Sequence, residues 1–152
     1  MHAWLCENPV GVEALNWKEI LNQIEAKGKA KDKLPTWFSS TKIIYPSKIS
    51  VEQTSSEKTA SYKSKLISGR KIIDLTGGFG VDAYYFSKQF AKVVHCEHNS
   101  ELSEIVKHNF SQLNAENIEC FSGESEAILE VLNEQFDWIY IDPSRRNDAK
   151  GK

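Results

Sequence analysis

The chain has 152 residues, a formal net charge of −2 and three cysteines, enough length for one domain with its own core and no global basic field to announce a nucleic-acid binder. Cys6, Cys96 and Cys120 lie far apart without a C-x-x-C pair, and no leader-like apolar stretch follows Met1, so a reduced, cytoplasmic protein is expected. No apolar run approaches the roughly 20 residues of a membrane span, which argues against a membrane role.

Residues 1–68 read as a polar, helical region with Trp4, Trp17 and Trp37 as scattered anchors. Leu15, Ile20, Leu21 and Ile24 lie close to helical spacing, with Asn16 a candidate cap for a helix beginning at Trp17. Lys27, Lys29, Lys31 and Lys33 place a charge at every second position before Leu34-Pro35, which reads as a helix end or a solvated linker rather than an RNA-contacting strip. Ser55-Ser56-Glu57 can cap a helix carrying Ala60, Tyr62, Lys63 and Leu66, which runs directly into the second region.

Residues 69–152 alternate regularly. Predicted strands cover 71–75, 92–97, 118–121 and 137–141, and predicted helices cover 81–90, 100–113 and 124–132. Such βα units imply an α/β fold with a parallel sheet and right-handed crossovers. In open sheets of this kind ligands bind at the carboxyl ends of the strands. There Asp74 precedes Thr76, Gly77, Gly78 and Gly80, whose glycines let the backbone turn sharply and approach a ligand. Gly78-x-Gly80-x-x-Ala83, with the acidic Glu97 downstream, also fits a dinucleotide fingerprint, so an NAD-binding domain is the alternative. Asp74 separates the two readings: a carboxylate beside the turn repels a pyrophosphate but attracts the ammonium of an amino-acid ligand such as S-adenosylmethionine. The fourth strand ends in Asp142-Pro143-Ser144-Arg145-Arg146, a polar group that dinucleotide folds do not require. His95-Cys96-Glu97-His98 is not read as a metal site, because strand neighbours point to opposite faces and no second ligand group lies at a familiar spacing. Cys96 reads as a small core residue, and Tyr84, Tyr85 and Phe86 read as helix packing.

The run Asp74-Leu75-Thr76-Gly77-Gly78-Phe79-Gly80-Val81-Asp82 resembles the first motif of class I S-adenosylmethionine-dependent methyltransferases, Glu97 the acidic residue of the second, and Asp142 to Arg146 the fourth. Together with Leu34-Pro35-Thr36-Trp37 and the stretch from Glu52 to Lys63, the set is similar to a bacterial family of methyltransferases with a THUMP-like domain farther along the chain. Thr76 stands where the commonest class I pattern has its first glycine. The resemblance implies a Rossmann-like sheet of which this chain carries the first four strands. It implies that Asp74, Thr76 and the turn Gly77, Gly78, Phe79, Gly80 hold the methionine end of S-adenosylmethionine, that Glu97 accepts the ribose hydroxyls, and that His98 borders the adenosine. Glu124 is a candidate adenine contact, with a helix-start acid as the plain alternative. Thr59 and Lys63 share a helix face that would close over the cofactor, with plain packing as the alternative.

For transfer, Asp142 and Pro143 match the motif that orients an exocyclic amine, whereas Ser144 and Arg145 replace its second proline and aromatic ring. A guanidinium can stack on a base or clamp a phosphate, so Arg145 and Arg146 keep nucleic acid, and RNA in particular, as the leading substrate class, with plain loop charges as the alternative. A small-molecule methyltransferase and a cofactor-binding module without turnover remain the alternatives. An uncovered fourth strand would be an apolar edge, so the chain is expected to be part of a longer protein that supplies the C-terminal portion.

Overall fold

The computed structural model describes residues 17–143; the expectations for Trp4, Cys6, Leu15, Asn16, Ser144, Arg145 and Arg146 fall outside them. Four helices precede the sheet: α1 (Trp17–Lys33), α2 (Pro35–Ser39), α3 (Lys48–Gln53) and α4 (Glu57–Lys65). Then β1 (Lys71–Asp74), α5 (Val81–Phe86), β2 (Lys92–Glu97), α6 (Ser100–Gln112), β3 (Ile118–Ser122), α7 (Ser125–Leu132) and β4 (Trp138–Tyr140) come in alternation. All pairings are parallel and the order is β3-β2-β1-β4, so the direction of winding reverses between β1 and β4. That reversal opens a crevice above the carboxyl end of β1.

Three helices start at a side-chain cap. Ser47, Ser56 and Asn99 accept backbone N–H bonds at the starts of α3, α4 and α6. The helix predicted through Phe90 ends at Phe86, where the Asn117 amide instead donates to the carbonyls of Ser87 and Phe90. Of the two readings of the lysine-rich stretch, helix end or solvated linker, the first holds: it is the last part of α1. Ala26 and Ala30, one turn apart, are fully buried, and Lys29 pairs with Glu52 at 2.9 Å, so packing carries the helix through Lys33 despite the alternating charge. Lys33 also donates to the Glu52 carbonyl.

The leading helices share one apolar cluster with the sheet. Trp37, Tyr45, Val51 and Ala60 pack with Ile72, Phe79, Tyr84, Phe86 and Val93 on one face, whereas Ile73, Val94, Cys96 and Ile128 fill the other. Two polar clamps fix this union. Asn109, buried on α6, accepts from Ile44 N–H at 2.9 Å and donates to Ile44 C=O at 2.8 Å, pairing with the α2–α3 connection as a strand would. Glu57, buried at the start of α4, accepts from the Thr36 backbone N–H, the Thr36 hydroxyl and the Tyr85 hydroxyl at 2.6, 2.7 and 2.8 Å. The Tyr85 hydroxyl is pushed up to about 12, by burial first and then by its bond to Glu57.

β4 is the edge of the described sheet. Trp138, Ile139 and Ile141 are exposed there, beside a cavity of about 330 Å³ bounded by Leu66, Phe86 and the strand itself. Among the described residues no helix is long and apolar enough to cross a membrane.

Because three donors converge on one buried carboxylate, Glu57→Ala is expected to cost on the order of 3 kcal/mol of folding free energy, against about 1 kcal/mol for Tyr85→Phe. Urea unfolding of the two variants checks the ratio. Equal losses would show that Thr36 is indifferent to Glu57.

Candidate functional site

The crevice is built around the loop after β1. Gly77 N–H donates to the Cys96 carbonyl at 2.9 Å, which lays the loop across the end of β2. A Cβ on Gly77 would meet the ring of His95 and would lie 2.6 Å from the Cys96 carbonyl oxygen. Gly80 is excluded from substitution twice over: its φ is +79°, and a Cβ would come within 2.6 Å of Phe110. Gly78 has φ +55°, and a Cβ there would meet only the Thr76 carbonyl oxygen at 3.7 Å, an ordinary contact, so this is the least crowded glycine of the loop. Phe79 turns inward, with its ring 6.3 Å from Trp37 and 6.1 Å from Tyr45, so what it offers a ligand in the crevice is backbone.

Glu97, buried at the end of β2, ties the second loop to the first. One carboxylate oxygen accepts Gly78 N–H at 2.9 Å; the other accepts Asn99 N–H at 2.9 Å and lies 3.0 Å from His98 Nδ1. A carboxylate keeps acceptor capacity beyond these bonds. The His98 side chain is 79% exposed at the rim. From the third loop, Gly123 N–H donates to the Glu97 carbonyl and the Ser125 hydroxyl to the Leu75 carbonyl. Glu124 sits at the N-cap of α7 without a side-chain capping bond. The carboxyl ends of β1, β2 and β3 are thus tied by main-chain and side-chain bonds into one floor.

Asp74 lies under this floor, 2% exposed, with one oxygen accepting Thr76 N–H at 3.0 Å and the Thr76 hydroxyl at 3.3 Å. Burial pushes its carboxyl up to about 7; the negative charges of Asp82 and Asp142 add to the effect, and the Thr76 bonds oppose it. Thr76 also reaches the fourth loop, since Asp142 N–H donates to its hydroxyl at 2.7 Å. The Asp142 carboxylate meets Lys63 Nζ at 3.1 Å and the Tyr140 hydroxyl at 3.1 Å, while Pro143 is exposed beside it. Lys63 therefore joins α4 to the loop after β4, whereas Thr59, one turn earlier, is exposed and bonds the Ser56 cap. Desolvation and the surrounding carboxylates drive the Tyr140 hydroxyl far upward, so it stays protonated.

Several participants are not assigned to the site from the sequence. Asp82, Tyr140 and Ser55 belong to the Lys63 cluster, and His95 lies fully buried beneath the glycine loop with neither ring nitrogen in a well-formed hydrogen bond. Burial lowers the His95 pKa, prevailing over the Gly77 backbone and the Glu97 charge. Tyr140 had an available signal: it stands two residues before Asp142 at a strand end, where alternate side chains share a side.

A profile of the family described as "Conserved hypothetical protein 95" matches residues 23–149. The chain belongs to that family. It is similar to the crystal structure of a "putative methyltransferase" from Porphyromonas gingivalis W83, with 31% identity and a TM-score of 0.77, covering 90% of this chain and 36% of that one. The "Probable cobalt-precorrin-6B C(15)-methyltransferase (decarboxylating)" of Sulfolobus acidocaldarius is 26% identical over 87 residues, 55% of this chain and 45% of that protein. The chain spans less than half the length of each of these two relatives. The O-methyltransferase from Bacillus cereus, solved in complex with SAH, shares the fold at 16% identity and a TM-score of 0.58, covering 86% of this chain and 65% of its own. The sheet and its helices are therefore the Rossmann-like α/β fold of these methyltransferase neighbours.

Gly77→Ala and Gly80→Ala are each expected to cost on the order of 2–4 kcal/mol, and Gly78→Ala about 1 kcal/mol from its backbone alone. Chemical denaturation ranks them. A second expectation comes from the buried acid and base. Asp74 has a folded-state pKa above its unfolded 3.8, so its ionisation opposes folding over that window and most fully above about pH 7. Asp74→Asn should stabilise the chain at pH 8 by on the order of 3 kcal/mol, the gain shrinking towards pH 4. His95, held neutral, has the reverse sign: stability is lost as pH falls below about 6.5, and His95→Leu should flatten that part of the profile.

Proposed function

We propose that this chain carries the S-adenosylmethionine-binding part of a methyltransferase, and that RNA is its substrate. The observation that carries the reading is the buried Asp74 carboxylate beneath a glycine loop that is least crowded at Gly78. Donor chemistry fits the cofactor. Asp74 suits an ammonium and would repel a pyrophosphate, Glu97 retains acceptor capacity for ribose hydroxyls, and the loop at Gly78 leaves room for close approach. Glu124 and His98 at the rim are the proposed neighbours of the adenosine, and Thr59 closes the α4 side, whereas Lys63 is turned to Asp82, Tyr140 and Asp142.

When bound, S-adenosylmethionine supplies a methyl already activated on its sulfonium, so the chain's task is alignment and exclusion of water. Thr76 serves both halves: it holds Asp74 by its amide and hydroxyl, and its hydroxyl accepts the Asp142 amide. Asp142 is thereby placed one side chain away from the loop that carries the cofactor, where its carboxylate accepts a hydrogen bond from an amine nucleophile and orients it. Pro143 stiffens the backbone after it. RNA is favoured by the sequence Ser144-Arg145-Arg146, whose two arginines follow Asp142 by three and four positions and carry the chemistry for stacking or phosphate contact.

Calorimetric titration with S-adenosylmethionine, with NAD in parallel, tests the cofactor. Saturable binding of S-adenosylmethionine alone is expected, weakening roughly tenfold from pH 7.5 to pH 6 as Asp74 takes up a proton. Asp74→Asn should abolish binding while raising stability. Binding of NAD instead, or indifference to Asp74→Asn, sinks the assignment. Transfer of tritiated methyl to unmodified RNA transcripts, reduced at least tenfold by Arg145→Ala with Arg146→Ala, tests the substrate; label in metabolites but not RNA refutes it.

A further inference from the structure

Among the described residues, Lys63 is the single cation of a cluster drawn from four parts of the chain. Its ammonium lies 3.0 Å from Ser55 Oγ, 3.2 Å from Asp82 Oδ2, 2.6 Å from the Tyr140 hydroxyl and 3.1 Å from Asp142 Oδ2. The Tyr140 hydroxyl in turn lies 3.3 Å from Asp82 Oδ2 and 3.1 Å from Asp142 Oδ2. Two carboxylates so placed repel each other unless a cation stands between them, and Lys63, only 27% exposed, occupies that position. Four oxygens around three N–H donors leave the ammonium little freedom to turn elsewhere. Its stem runs over the Tyr140 ring, with Nζ 5.3 Å from the centroid.

The partners differ in how firmly they are held. Asp82, in the first turn of α5, is 13% exposed, whereas the Asp142 side chain is 57% exposed on the loop beyond β4. Sheet pairing of β4 reaches only Tyr140. Beyond it, the partners of Asp142 include Thr76, through its amide, and Lys63 and Tyr140, through its carboxylate. Asp82 and Ser55 anchor the ammonium, and the ammonium anchors Asp142.

We propose that Lys63 is a positioning residue, which reaches from the N-terminal helical region to hold Asp142 against the loop after β1. The inference deepens the proposed function and rests on it for the role of Asp142. It makes α4 part of the transfer half of the site and separates Lys63 from the cofactor contacts.

Amide hydrogen exchange measured by NMR on the chain without cofactor or substrate tests it. Lys63→Met should speed exchange of the Asp142 amide at least tenfold while amides of the β1–β2 ladder hold, and Lys63→Arg should restore it within about twofold. In the methyl-transfer assay Lys63→Met should lower turnover at least tenfold with S-adenosylmethionine affinity within threefold. An unchanged Asp142 amide, or equal acceleration across the sheet, overturns the proposal. Should Lys63→Met not fold, Asp142→Asn takes its place; it removes the carboxylate that Lys63 holds, and an unchanged amide at residue 142 is again fatal. In the longer protein, a wild type that binds S-adenosylmethionine but transfers no methyl counts against the role of Asp142, whereas an Asp142 amide unchanged by Lys63→Met counts against Lys63.

Discussion

The contact between Gly77 and the end of β2 sets the geometry of everything above the sheet. There is no room for a methyl group between its Cα and the His95 ring, and its amide is bonded to the Cys96 carbonyl. With the loop pinned at that height, Gly78 N–H falls within reach of Glu97, Asp74 is sealed beneath, and Thr76 is left facing the fourth loop. A side chain at this one position would lift the loop and disturb each of those bonds in turn. Part of the constraint is the His95 ring, but the Cys96 carbonyl oxygen, 2.6 Å from such a Cβ, is main chain, so a smaller residue at 95 would not by itself make room.

The charges around the crevice work against the fold. Asp74, Asp82 and Asp142 sense one another closely enough that the last two raise the pKa of the first. A stability-driven sequence would place neutral groups at the buried position, as an amide could keep the bond from Thr76. A buried acid whose ionisation is opposed further by two other carboxylates costs stability, and the proposed ammonium ligand would offset that cost. His95 presses in the same sense, a fully buried polar ring beneath the ligand loop with its nitrogens unsatisfied.

How far the sequence can be read depends on where the information lies. The strand 92–97 is legible to the residue because hydrophobic runs between turns are a local signal. The helices α2 and α3, five and six residues long, are not, since neither spans enough turns to show a period and each is held by one buried side chain, Trp37 or Val51. Alternating lysines mask the end of α1 because the deciding residues are the small Ala26 and Ala30, whose burial depends on helices elsewhere in the chain. Asp74, Glu97 and Asp142 can be grouped from topology alone, as all end or succeed strands of one parallel sheet. The link from Lys63 to Asp142 joins residues 79 apart and leaves no mark on either neighbourhood.

The position of β4 has a consequence for the order in which the molecule is made. β1 pairs with β2 across a short βα connection, but Thr76 and Asp142 meet only after a closure of 66 residues. The longer loop adds about 1 kcal/mol of closure entropy over the shorter one, and β4 returns only three ladder positions for it. During synthesis the floor formed by the first three strands can be complete while the fourth is still emerging. Under the proposed function, the half that binds the cofactor would then be the first to be completed and the half that handles the acceptor the last.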